Sequence, residues 1–141
     1  MVRKKNRILA LLCAVMMLFS VTTAASALEL SPYSSAQISS HKITVTPLDG
    51  GQIKVKCEVS GTGVMDELGT DHITIYEAQG TGWLIADDYN GDYKKDAITY
   101  SSSYYFSGVP GTRYKIIAGV FATDSAGTDT EYETYIVTAK S

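Results

Sequence analysis

The chain has 141 residues, 45% of them apolar and 19% charged, with a formal net charge of −3. That is enough for one domain with its own core, and too acidic a balance to track a phosphate backbone, so nucleic acid is not an expected partner. Only two histidines and two cysteines are present, which leaves little room for zinc centres or histidine-activated nucleophiles.

Residues 1–27 read as a secretory leader. Arg3, Lys4, Lys5 and Arg7 form a positive start, Ile8 to Phe19 is an apolar run too short for a stable membrane span, and Ala25-Ser26-Ala27 offers the small residues of a cleavage site. Cys13 lies inside that run without the flanking residues of a lipid-attachment signal, and the C-terminus shows neither an apolar segment nor a wall-sorting motif. The expectation is a freely secreted, extracellular protein with no membrane attachment after cleavage. The leader holds four of the twelve basic residues and none of the fifteen acids, so the processed chain carries 8 bases against 15 acids, a net charge of −7. Cys57 is then the one remaining cysteine. No internal disulfide is available, and stability must come from packing.

Leu28 to Gln37, rich in serine and containing Pro32, reads as a flexible lead-in to a domain over residues 38–141. Period-two alternation broken by Gly, Asn, Asp and Pro then predicts strands throughout. His41 to Pro47 is the first, followed by an Asp49-Gly50-Gly51 turn. Ile53, Val55, Cys57 and Val59 alternate with Lys54, Lys56 and Glu58, which gives the second strand one dry and one wet face. Gly63 to Gly69 reads as one helical turn, because Met65 and Leu68 are three apart and glycines bracket them. His72 to Glu77 is the third strand, with Ile73 and Ile75 inward and Tyr76 outward. A Gln79 to Gly82 turn leads to a short strand at Trp83, Leu84 and Ile85. Ile98 to Phe106 follows, with Ile98, Tyr100, Tyr104 and Phe106 on one parity. Tyr114 to Ala122 has Tyr114, Ile116, Ala118, Val120 and Ala122 inward, and Thr130 to Ala139 closes the chain.

Seven strands, no disulfide, and Val109-Pro110-Gly111-Thr112 leading into Tyr114 resemble the fibronectin type III family within the immunoglobulin-like β-sandwiches. In such sandwiches a tyrosine at a strand start bonds back to the chain just upstream. The implied fold is an all-β, seven-stranded, two-sheet sandwich. The tryptophan usual in that family's second strand is absent; Cys57 falls near its place, with Trp83 available to fill part of the volume. Leader, Ser31-Pro32-Tyr33 start and lone domain also resemble the small, uncharacterised exported proteins of Gram-positive bacteria.

Catalysis finds no support in the residues: His41 and His72 open strands, no Gly-x-Ser-x-Gly turn accompanies them, and Cys57 sits between inward valines. Two surfaces remain as binding candidates. The resemblance implies that three loops gather at one pole, carrying Asp66, Asp71, Asp88, Asp124 and Asp129 among other acids, a chemistry suited to Ca²⁺. No other cofactor is implied. Asp88 to Asp92 fails the EF-hand pattern, because aligning Gly91 with the invariant glycine puts Ala86 and Ala97 at the first and last ligand positions. The second surface is aromatic: Tyr76, Trp83, Ile117, Phe121 and Tyr135 are expected on one outer sheet face, where a protein or polysaccharide could dock. The functional expectation is a secreted, non-catalytic binding or adhesion module. The alternative is an exported enzyme that acts on glycans with a carboxylate pair.

Overall fold

The computed structural model describes residues 35–141; the expected leader and residues 28–34 lie outside the described residues. The described residues form six antiparallel strands and no α-helix: β1 (Ile38–Pro47), β2 (Gln52–Gln79), β3 (Gly82–Asn90), β4 (Tyr93–Ser107), β5 (Arg113–Asp124) and β6 (Gly127–Thr138). A single 3₁₀ turn, Asp49–Gly51, joins β1 to β2.

The organising element is β2, 28 residues long. Beyond the Gly80 turn, the chain returns alongside it, β3 pairing with His72–Gln79 and β4 with Gln52–Gly69. The result is one long hairpin, and it is bent. On the free edge of β2, β1 pairs with Ile53–Gly61 and β5 with Glu67–Glu77, while β6 extends the sheet beyond β5. The sheet curls, and its concave side is the core.

Two glycines allow the bend. Thr70 N–H donates to Asp92 O and Gly91 N–H to Asp71 O, at 2.8 and 3.0 Å, so the chain crosses itself closely where β3 passes into β4. A methyl group on Gly91 would overlap the Thr70 carbonyl and lie 2.6 Å from Asp71 O; one on Gly69 would lie 2.6 Å from the Tyr93 Cα. Register shifts fall on either side, between Ser60 and Met65 against β4 and between Thr70 and Ile73 against β5. Such bulges bend a strand and re-aim its side chains.

The inward parity expected from the sequence is present in both runs. Ile53, Val55, Cys57 and Val59 are buried, as are Tyr114, Ile116, Ala118, Val120 and Ala122, and Ile73 with Ile75 completes the centre. Apolar surface removed from water at about 25 cal/mol per Å² is the main stabilising term for such a core. Burial pushes the Cys57 thiol upward, away from the reactive thiolate.

Four expectations need correction. Residues 53–59 and 72–77 are two halves of β2 rather than separate strands, so there are six strands where seven were counted. Gly63–Gly69 is extended, not helical. Met65 and Leu68 are both buried because inward parity changes across the bend, which imitates a helical spacing. Ile98 is 54% exposed, because its neighbours Thr99 and Ala97 pair with Ser60 and Met65 and leave it opposite the bulge. Trp83 lies outside the core cluster altogether.

Tyrosines close both open sides of the curl. On one, Tyr104 of β4 stacks on Tyr89 of β3 with ring centres 4.6 Å apart, and its hydroxyl donates to Asp87. On the other, Tyr135 of β6 donates to Ile43 O of β1 at 2.7 Å and contacts Glu133, which also meets His41 Nε2 at 3.1 Å. Tyr114 sits at the start of β5, packed edge-on against Phe106 at 5.2 Å, and its hydroxyl oxygen accepts the Val109 N–H at 2.8 Å. That is the backward bond expected for a tyrosine in this position.

Candidate functional site

The outer face of the half built from β3, the end of β2, β5 and β6 carries most of the predicted aromatic surface. Cross-strand pairing sets Ile85, Tyr76, Lys115 and Ile136 in one row, each on a different strand. Ile85 is 66% and Ile136 54% exposed. Lys115 Nζ lies 4.6 Å from the Tyr76 ring centre and 5.2 Å from that of Trp83, and the Arg113 guanidinium lies 5.9 Å from Trp83. Two cations therefore sit over two aromatic faces, within the range where the ring quadrupole attracts them. Ile117 follows in the next row beside Thr74, half-buried. Phe121 lies further along with Tyr93 packed edge-on at 6.2 Å.

Tyr135 does not belong to this surface. It pairs with Ile116, so its ring faces the core, and Val137 likewise pairs with Tyr114. Odd residues of β6 lie opposite even residues of β5, which puts Tyr132, Thr134 and Ile136 outside instead. Tyr132 is the outward tyrosine that sequence parity missed. Its ring lies over Gly119, and its hydroxyl donates to Asp71.

The five carboxylates expected at one pole occupy separate environments. Asp66 and Asp71 lie within β2, because no loop interrupts that strand. Asp71 accepts from Tyr132, and Asp88 accepts from Thr74 Oγ1 at 3.0 Å and meets His72 Nε2 at 2.6 Å. Asp124 and Asp129 do meet, on the short segment that leads into β1. Gln37 N–H donates to Asp129 at 2.9 Å, Gln37 Nε2 to Asp124 at 3.2 Å, and the Ser35 hydroxyl to Asp129. The Ser35 bond, followed by that of Gln37, holds Asp129 below the usual carboxylate range. Among the described residues no three His, Cys, Asp or Glu side chains gather in a way that could hold a metal ion.

Three tyrosines donate to carboxylates, and each phenol is pushed up to about 12. For Tyr104 burial leads, followed by the Asp87 bond; for Tyr132 and Tyr135 the bonds to Asp71 and Glu133 lead, followed by burial. A group whose folded value is raised above its unfolded value of about 10 stabilises the fold fully below that pH, and loses the effect as pH rises through about 12. Absorbance titration of the phenolates is therefore expected to show a fraction that ionises near 12, with denaturation midpoints falling from about pH 10 upward. Tyr104→Phe should shrink that late fraction.

No family model matches the chain, and no curated protein matches it. Among solved structures, it is similar to the solution structure of a candidate late embryogenesis abundant (LEA) protein, with 13% identity and a TM-score of 0.41 over 99% of this chain and 87% of that one.

Proposed function

We propose that the chain is an exported, non-catalytic binding module, built as an immunoglobulin-like sandwich close to fibronectin type III, that recognises a protein or cell-envelope polymer through its outer aromatic face. What supports the sandwich reading is the bent β2, whose first part pairs with β1 and whose last part pairs with β5, so that its two halves can count as two of the seven strands. The Tyr114 to Val109 bond supports it too. The observation that carries the function is the row Ile85–Tyr76–Lys115–Ile136 with Trp83 beside it: exposed isoleucines at either end, with half-buried Tyr76, Lys115 and Trp83 between, on four adjacent strands. Contiguous apolar area of this kind marks contact surfaces, and tyrosine and tryptophan give up little entropy on binding.

Trp83 is the single tryptophan of the chain, so its emission reports directly on this face. Titration with solubilised cell-envelope polymers is expected to change that emission saturably, and Tyr76→Ser to weaken the response about tenfold or more, with no hydrolysis product. Binding that leaves Trp83 emission unchanged and is indifferent to Tyr76→Ser would remove the proposal.

A further inference from the structure

The opposite half of the curl, made of β1, the first part of β2 and β4, presents an outer face of different chemistry. Its outward positions across residues 40–46, 54–60 and 99–105 hold no aliphatic side chain. They hold three lysines, Lys42, Lys54 and Lys56, against one carboxylate, Glu58, which Lys56 engages at 2.8 Å. The sequence carries more acids than bases overall, so this face runs against the charge of the chain. Hydroxyl groups fill most of the remaining positions, ending in the row Ser40–Ser60–Thr99.

At that end the sheet curves, where the register of β1 slips between Ile38 and Ser40 and that of β2 after Ser60. An open groove of about 580 Å³ results, lined by Lys42, Lys94, Glu58, Ser40, Thr99 and Ser101 among others. The groove thus combines two lysines and a set of hydroxyls with one carboxylate, Glu58, which pairs across the strands with Lys42 and is already engaged by Lys56.

We infer that this groove and face bind an acidic polysaccharide, with sugar carboxylates on Lys42 and Lys94 and sugar hydroxyls on Ser40, Ser60 and Thr99. Charge complementarity selects an anion, and the hydroxyl floor suits a polyol. Nucleic acid fits less well. The face has no arginine to fork onto phosphate, and a single outward aromatic residue, Tyr105, where a stacking platform for successive bases uses several. This surface is separate from the aromatic face, so each can fail alone.

The test uses polygalacturonate as probe, with neutral dextran, polyphosphate and duplex DNA as comparators, at low ionic strength and again in about 0.3 M salt. The wild-type chain is expected to bind polygalacturonate in a salt-sensitive manner and to ignore dextran. The Lys42→Ser/Lys94→Ser double variant is expected to bind about tenfold more weakly, whereas Trp83→Ala should bind as wild type. Lys42 and Lys94 are both exposed, so an unchanged circular dichroism melt will show that the variant is folded. Equal affinity of the folded double variant would overturn the inference, and so would polyphosphate or DNA binding as tight as that of polygalacturonate.

Discussion

Gly91→Ala is expected to unfold the domain or to cost about 4 kcal/mol or more, the range reserved for substitutions with no place to go. The added methyl would overlap the Thr70 carbonyl and crowd Asp71 O; both are backbone atoms, Asp71 O accepts the Gly91 N–H, and Thr70 is held through its own N–H on Asp92 O. Neither can rotate aside as a side chain would. Gly63→Ala, on β2 close to the bend, meets nothing within 4 Å and is the control, expected within about 0.5 kcal/mol of wild type. Chemical denaturation of the pair decides the matter; near-equal midpoints would mean that the hairpin does not cross itself at this point.

Tyr114→Phe is expected to cost about 1–3 kcal/mol, although it removes one oxygen atom from a ring that stays buried. The loss strands the Val109 N–H, which donates to that oxygen at 2.8 Å. The comparison that isolates this effect is Tyr100→Phe. Tyr100 is also buried, but its hydroxyl has no hydrogen-bond partner among the described residues. Removing an unpaired polar atom from a core should be neutral or stabilising. The two substitutions make the same chemical change at similar burial, so opposite signs in urea unfolding are the expected result, and equal costs would deny Tyr114 its anchoring role.

The sequence made the faces of strands legible and the path between them illegible. Alternation of apolar and polar residues over Ile53–Val59 and Tyr114–Ala122 is a local signal, and every buried residue there follows it except Gly119, which has no side chain to expose. The turn into Tyr114 was legible for the same reason, since its partner Val109 is five residues away. The bend of β2 was not. Between its two register shifts the buried side changes from odd to even positions, and Met65 and Leu68 then display a helical spacing in an extended chain. On the candidate surface, Tyr76, Trp83, Ile117 and Phe121 follow from single-strand parity, whereas Tyr135 needs the offset between β5 and β6, which depends on the Asp124–Gly127 turn. Arg113 and Lys115 went unnoticed because a cation over a ring becomes visible only when strands from distant parts of the chain lie side by side.

Because β2 runs through both halves of the curl, neither half has a strand set of its own. Opening one half tears the backbone ladder of the other, so melting is expected to be all-or-none, and amide exchange from the two halves is expected to report a common global free energy. Fragments cut at the bend would each inherit an orphaned edge, and such edges recruit neighbouring chains. The long strand thus ties the cationic and aromatic faces, which lie on different halves of it, to a single cooperative transition.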